Sequence, residues 1–157
     1  MQTNIIPIAS DHAGYEAKEK AKEILEELGY TPVDYGTHNT ESVDYPDFAS
    51  EVSVLIDRGE HDQGILICGS GQGMCITANK FANVRAALAW NSEIAKLSKG
   101  HNDANVLCLP GRYLSEDELR SIIKSWLESQ FEGGRHERRV EKIHKTNENQ
   151  KQDNSLT

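Results

Sequence analysis

The stretch from Gly64 to Met74 most constrains how this chain can fold. It reads Gly-Ile-Leu-Ile-Cys-Gly-Ser-Gly-Gln-Gly-Met, an unbroken apolar run that ends at Cys68 and is followed by glycines at alternate positions. Such a run is typical of a strand buried on both faces of a parallel sheet. The glycines allow a tight turn in which backbone N–H groups approach a ligand closely. A helical pattern starts at Met74, so the turn is expected at a helix N-terminus, which favours anions and a thiolate at Cys68.

Strand and helix patterns alternate along the rest of the chain. The other strand patterns cover residues 5–9, 31–35, 84–89 and 106–109. Helical patterns begin at Tyr15, Pro46, Met74, Ser92 and Ser115, and the one at Ser92 is short, ending at Leu97. Five strands that alternate with helices predict an α/β fold, a three-layer α/β/α Rossmann-like sandwich around a five-stranded parallel sheet.

The chain is predicted to form one domain. A length of 157 residues suits a single core, and neither a repeat nor a linker divides the sequence. We expect the domain to span residues 1–145, with a basic last helix at about 135–145. Residues 146–157 are polar and are expected to be a disordered tail.

Composition narrows the classes of partner. Seventeen basic residues against 25 acidic ones give a net charge of −8, which disfavours nucleic acid and anionic membranes as partners. No apolar run approaches the roughly 20 residues of a membrane span, and Met1 to Asn4 show no secretory signal. The cysteines at 68, 75 and 108 form no CxxC pair, so disulfides and zinc are not expected. We therefore expect a location in the reducing cytoplasm.

Ligands of open parallel sheets bind outside the carboxyl ends of the strands. That rule selects four stretches, which we expect at one edge of the sheet: Asp11-His12, residues 36–45, residues 68–73, and His101 to Asp103 with Arg112.

The glycine loop does not match the common nucleotide motifs. A dinucleotide fingerprint needs glycine where Met74 stands, and a Walker loop needs Gly-Lys-Ser/Thr. A cysteine phosphatase loop would need an arginine to close it, and Met74 and Cys75 offer none. The alternative reading is a tight strand-to-helix turn with a buried, inert Cys68.

Two histidine motifs have both functional and structural readings. Asp11-His12 could hold a substrate hydroxyl or phosphate, or could only cap the next helix. His101, placed between the short helix and the fifth strand, could act as a general acid near neutral pH or be a surface histidine.

Basic and aromatic residues are also ambiguous taken singly. Arg135 and Arg139 share one helical face and could grip phosphate oxygens, or they could lie on a solvated face. Arg112 follows the fifth strand, where the sheet rule places a ligand residue. Tyr45 could pack on a sugar or brace its helix.

Together these motifs resemble the ribose-5-phosphate isomerase B family, which includes galactose-6-phosphate isomerase, over about residues 5–143. The segments that carry the resemblance are Ser10 to Gly14, Asp44 to Pro46, Ile67 to Gly73, Ala78 to Lys80, His101 to Val106 and Glu132 to His136. Some members place a glutamate at the end of the glycine loop. Met74 stands there, so the chain is similar to the cysteine type.

The resemblance implies an aldose–ketose isomerase, free of metal and cofactor, that interconverts ribose 5-phosphate and ribulose 5-phosphate through an enediolate. Cys68 would be the base that moves the proton between C1 and C2. Ser70 and the N–H groups of the loop would stabilise the enediolate oxygen, and these are the N–H groups of Gly69, Ser70, Gly71, Gln72 and Gly73.

The resemblance also assigns sugar and phosphate contacts. His101 would protonate the ring oxygen to open the furanose, while Asp11 and Asn102 hold sugar hydroxyls. The phosphate would be bound by His12, Arg112, Arg135 and Arg139. Members are dimers with sites at the subunit interface, so a homodimer or a tetramer is expected.

Two alternatives remain beside the pentose reading. One keeps the mechanism and changes the sugar to allose 6-phosphate, galactose 6-phosphate or a tetrose phosphate. His101 favours the pentose, because galactose-6-phosphate isomerase subunits tend to lack that histidine. The other is a non-catalytic sugar-phosphate-binding subunit, against which the presence of Cys68, Ser70 and His101 together argues.

Overall fold

The computed structural model describes residues 4–156. Met1 to Thr3, part of the segment expected to lack a signal, and Thr157 of the expected tail lie outside the described residues. The strands are β1 Ile5–Ser10, β2 Thr31–Asp34, β3 Gly64–Cys68, β4 Ala86–Leu88 and β5 Val106–Pro110. The helices are α1 Tyr15–Glu27, α2 Tyr45–Asp57, α3 Gln72–Ala78, α4 Ser92–Asn102, α5 Glu116–Glu128 and α6 Arg135–Ser155.

The five strands form one parallel sheet in the order β2-β1-β3-β5-β4. All five residues of β3 are buried, as the unbroken apolar run predicts for a central strand. One core cluster joins the sheet to α1, α4 and α5, and a second joins its other face to α2 and α3. The predicted three-layer α/β/α sandwich is therefore confirmed.

Pro7 lies inside β1, although proline cannot donate to a strand ladder. The carbonyl of Ile8 accepts a hydrogen bond from Tyr35 on the β2 side, so the backbone of Pro7 faces β3. The paired register with β3 begins only at Ile8, opposite Ile65. The missing N–H of Pro7 therefore falls just before the β1–β3 ladder starts.

Local capping signals place α5 where the sequence predicts it. The Ser115 hydroxyl accepts from the Glu118 N–H at 3.2 Å, and the Glu118 carboxylate accepts from the Ser115 N–H at 3.1 Å. This reciprocal pair satisfies two N–H groups that the start of a helix leaves without partners.

The end of the chain differs from the sequence prediction. The structure continues α6 to Ser155, whereas the apolar pattern ends near residue 145 and the rest was expected to be disordered. Every side chain from Lys145 to Leu156 is exposed. A helix already formed can continue through backbone hydrogen bonds without an apolar face, so periodicity gives no signal for this part. Among residues 4–156, no helix combines the length and apolar character that crossing a membrane requires.

A buried ion pair anchors the segment that follows β2. The Lys18 ammonium is fully buried and donates to Asp34 at 2.7 Å and to the Thr37 carbonyl. Backbone hydrogen bonds of 2.7 Å also join Ser10 to Gly36 and to Thr37. The loop after β2 is therefore held at the carboxyl end of β1.

Candidate active site

The glycine loop connects β3 to α3 at the carboxyl edge of the sheet. Cys68 is the last residue of β3 and is 5% exposed. Gly71 has φ = 76°, and a Cβ there would overlap Leu88 Cδ1, so only glycine fits. α3 begins at Gln72, two residues before the predicted start at Met74.

This loop presents free hydrogen-bond donors beside Cys68. Within residues 4–156, the backbone N–H groups of Gly69, Ser70 and Gly71 have no acceptor in the protein. The Ser70 hydroxyl accepts from the Gln72 N–H at 3.4 Å. The arrangement can therefore bind an anionic oxygen close to a cysteine sulfur.

The turn after β1 supplies Asp11 and His12. The Asp11 carboxylate is 6% exposed and accepts from the Gly14 N–H at 2.9 Å, which is the turn-capping role open to it. His12 accepts from the Val43 N–H through Nδ1 at 3.2 Å. A neutral His12 therefore carries its proton on Nε2 and can donate from there.

Arg112 closes the loop from the β5 side. Its N–H donates to the Gly69 carbonyl at 3.1 Å. Its side chain runs along Gly69, where a Cβ would lie 3.3 Å from Arg112 Cδ and 3.5 Å from Nη1. The guanidinium is thus near the free N–H groups of the loop.

These residues surround one cleft of about 350 Å³. It brings together eight of the site residues selected from the sequence: Asp11, His12, Tyr45, Cys68, Gly69, Ser70, Gly73 and Arg112. Gly71 and Gln72 belong to the same loop but do not line this cleft. Ala13 and Tyr113 also line it and were not selected, although each directly follows a selected residue. A larger cavity of about 460 Å³ at the opposite edge of the sheet contains no cysteine.

His101 and Asn102 do not lie at this edge of the sheet. The prediction that their stretch meets the other three at one edge is therefore wrong. The sequence predicts a helix ending at Leu97, but α4 continues to Asn102. It starts beyond the carboxyl end of β4 and returns to the amino end of β5. There the Asn105 carbonyl accepts from the N–H of Gly64, the first residue of β3. A residue just before a strand lies at the amino edge, opposite Cys68.

Arg135 and Arg139 lie near His101 at the start of α6 rather than in the cleft. The His101 and His136 rings stack with centroids 4.2 Å apart and an interplanar angle of 11°. Burial lowers the pKa of His136, and the nearby His101, Arg135 and Arg139 lower it further. Glu132 and His136 belong to a segment that carries the family resemblance, but no motif in the sequence marks either of them as a site residue.

A metal ion has one candidate group within residues 4–156. Ligand atoms of His101, Glu132 and His136 all lie within 4.8 Å of one another. An imidazole binds a metal through a lone pair in the plane of its ring. Two rings stacked at 11° direct these lone pairs along nearly parallel planes, so both cannot point at the same ion. The geometry therefore disfavours a metal here.

All three cysteines are free thiols. A hydrogen bond from Cys108 lowers the pKa of Cys75, and burial raises the pKa of Cys108 well above its usual value. Cys75 lies on α3 and packs against the core cluster that contains Cys108. Of the three cysteines, Cys68 lines the cleft.

Comparison with known proteins agrees with this geometry. A family model described as Ribose/Galactose Isomerase matches residues 6–143. Ribose-5-phosphate isomerase B of Escherichia coli is 44% identical over 138 residues, covering 88% of this chain and 93% of its own. A putative sugar phosphate isomerase of Bacillus subtilis is 44% identical over 139 residues, with the same coverage.

Solved structures are similar over nearly the whole fold. Ribose-5-phosphate isomerase B of Clostridium thermocellum has a TM-score of 0.90 and 46% identity, covering 92% of this chain and 98% of its own. The enzyme of Mycoplasma genitalium, solved with bound ribulose-5-phosphate, has a TM-score of 0.87 and 41% identity, with coverages of 92% and 96%.

Proposed function

The chain belongs to the ribose/galactose isomerase family, and on that premise we propose that it interconverts ribose 5-phosphate and ribulose 5-phosphate, a step of pentose phosphate metabolism. The observation that carries the proposal is the cysteine at the end of β3 beside three free N–H groups, in a cleft that also holds His12 and Arg112. Relatives named for this reaction, and one solved with ribulose-5-phosphate, support this choice of sugar.

The isomerisation needs a base beside an oxyanion site. A carbon acid must lose a proton while negative charge develops on the adjacent oxygen. From aldose to ketose, the Cys68 thiolate takes the proton from C2 and returns it to C1, while the hydroxyl proton passes from O2 to O1. The reverse reaction runs through the same enediolate in the opposite direction. The N–H groups of Gly69, Ser70 and Gly71, with the Ser70 hydroxyl, hold the enediolate oxygen.

The phosphate is held by basic groups on both sides of the cleft. Within the protomer, the Arg112 side chain lies along Gly69, and His12 can donate from Nε2. A guanidinium matches the geometry of phosphate oxygens and stays charged at any physiological pH. Arg135 and Arg139 complete the phosphate site, Asp11 and Asn102 hold sugar hydroxyls, and Tyr45 packs on the sugar.

We propose that the active form is a homodimer with sites shared between subunits. His101, Asn102, Arg135 and Arg139 lie away from Cys68 in the protomer, so they would serve the cleft of a second copy. Exposed apolar side chains support such a contact, since Ile76 is 61% and Ile143 is 51% exposed. A tetramer would pair two such dimers. Free thiols and a phosphorylated metabolite both suit the cytoplasm.

The test is turnover by purified protein. We expect ketose to form from ribose 5-phosphate in the presence of EDTA, and we expect Cys68→Ala to remove that activity. Cys75→Ala is the matched control, because Cys75 lies outside the cleft. Failure of the wild type with ribose 5-phosphate, together with turnover of a hexose or tetrose phosphate, would overturn the choice of sugar.

A further inference from the structure

The imidazole of His101 is held by a carboxylate on its own chain. His101 Nε2 lies 3.1 Å from Glu132 Oε2. The ring is 37% exposed, so one side remains open to solvent. Within residues 4–156 no hydrogen bond engages Nδ1 of His101. Nε2 is therefore committed to the protein, and Nδ1 is the nitrogen that can reach another molecule.

A second contact fixes the plane of the ring. His136 is 8% exposed and stacks on His101 at 4.2 Å between centroids. The His136 N–H donates to the Gly133 carbonyl at 3.1 Å, which ties the first turn of α6 to the segment that carries Glu132. Burial lowers the pKa of His136, which favours the neutral form of this ring.

The backbone at Gly100 binds Glu132 and leaves room for its carboxylate. The Glu132 N–H donates to the Gly100 carbonyl at 3.0 Å. A Cβ at position 100 would lie 2.9 Å from Glu132 Oε2, so any larger residue would displace this carboxylate. Gly100 directly precedes His101. The contact between His101 and Glu132 is therefore held by the backbone as well as by the two side chains.

We propose that Glu132 and His136 are positioning residues that direct Nδ1 of His101, rather than Nε2, toward the ring oxygen of the substrate. The proposal rests on the proposed function, because it concerns ring opening by His101. In that step the bond between C1 and the ring oxygen breaks, and its electron pair stays on the ring oxygen. This oxygen takes the proton from Nδ1, while the anomeric hydroxyl loses its proton to water as the carbonyl forms. Glu132 stabilises the imidazolium before the transfer.

The kinetic test compares a cyclic substrate, ribose 5-phosphate, with an open-chain one, ribulose 5-phosphate. Glu132→Ala should lower kcat for ribose 5-phosphate by about tenfold to a hundredfold, as the loss of a group that orients a functional side chain does, with KM nearly unchanged. This is less than the roughly hundredfold to ten-thousandfold that a general acid itself contributes. Turnover of ribulose 5-phosphate, which has no furanose to open, should fall much less. Glu132→Gln should restore part of the loss, because the amide oxygen still accepts from Nε2. Glu137→Gln, which changes an exposed glutamate in the first turn of α6, is the matched control. Equal losses for the two substrates would overturn the proposal.

The stacking role has its own pair of variants. His136→Phe keeps a flat ring against His101 and should retain most of the activity, whereas His136→Ala should behave like Glu132→Ala. If both variants lost the same activity, an aromatic ring at position 136 would make no difference, and the stacking role would be overturned. Circular dichroism spectra establish that each variant is folded.

A measurement without substrate separates this inference from the proposed function. In nitrogen-15 NMR of labelled histidine, the wild type should show His101 protonated at Nε2 when neutral, and Glu132→Ala should show a mixture of tautomers. An unchanged tautomer would overturn the positioning role even in an active enzyme. An inactive wild type with the expected tautomer change would overturn the proposed function and leave the contact established.

Discussion

The ring of Tyr45 lies directly on the backbone of Gly73. A Cβ at position 73 would lie 2.6 Å from Cε2 and from Cζ of this ring. Tyr45 starts α2 and Gly73 lies in the first turn of α3, so the contact joins two helices at the rim of the cleft. The glycine is needed here for space rather than for an unusual φ angle.

Gly73→Ala should therefore impair binding more than folding. Because Tyr45 is 41% exposed, its ring can turn toward solvent, and the free energy of unfolding should change by less than about 1 kcal/mol. The displaced ring should raise KM for ribose 5-phosphate. Gly29→Ala is the control, with φ = 89° and no atom within 4 Å of the new Cβ. It should cost about 1 kcal/mol of stability and leave KM unchanged. Steady-state kinetics and urea denaturation decide between these outcomes.

Arg139→Ala should raise KM for ribose 5-phosphate by about tenfold or more and leave kcat nearly unchanged. The reason is that a charged hydrogen bond to the phosphate is equally strong in the ground state and the transition state, so its loss weakens binding without slowing the chemical step. Arg138→Ala, the exposed neighbour on α6, should have little effect. Initial-rate measurements check both variants. An unchanged KM for Arg139→Ala would remove α6 from the phosphate site.

Sites shared between subunits predict complementation. Cys68→Ala and His101→Ala should each be nearly inactive with ribose 5-phosphate. Refolding them together gives mixed dimers in which one of the two sites has both Cys68 and His101, so activity should return to roughly a quarter of the wild type. If Cys68 and His101 of the same chain formed each site, the mixture would stay inactive.

Asp34→Asn should destabilise the fold at pH 7 by roughly 3 kcal/mol, because it leaves the buried Lys18 ammonium without its counter-charge. Burial would raise the pKa of Asp34, but hydrogen bonds from Lys18, Lys22 and the Gly36 N–H outweigh it and lower the pKa. A lowered pKa stabilises the fold above the unfolded value of about 3.9, and this stabilisation is lost as the pH falls below it.

The difference in stability between the wild type and Asp34→Asn should therefore shrink as the pH falls from 5 toward 3. Urea denaturation at several pH values measures it, with Asp62→Asn as the control at a carboxylate outside this ion pair. A difference that stays constant over this range would show that ionisation of Asp34 does not contribute.

The glycine loop and the sheet could be predicted because their signals are local. An unbroken apolar run specifies a central strand, and glycines at alternate positions specify a tight turn, wherever the rest of the chain goes. The capping box at Ser115 is equally local. The residues that follow β1, β3 and β5 then meet at one edge because parallel strands bring their carboxyl ends together.

The length of α4 could not be predicted from its apolar pattern. Lys99 interrupts that pattern, yet it is 9% exposed in the structure. Its ammonium donates to Gln63 at 2.7 Å and lies 4.0 Å from the centre of the Trp126 ring. Burial lowers the pKa of Lys99 to about 8. A buried lysine looks like an exposed one in the sequence, because its partners are distant in the chain.

The sequence by itself determined which chemical groups this protein has and which strand ends carry them. Cys68, Ser70, His12 and Arg112 follow from that information, since each lies within a few residues of a strand that the apolar pattern identifies. Only the tertiary structure decided that His101 lies at the opposite edge, against Glu132 and His136. The position of a residue at the far end of a crossover helix depends on how long that helix is and what it packs on. Both are set by contacts between residues that are distant in the chain, and local periodicity contains no record of such contacts.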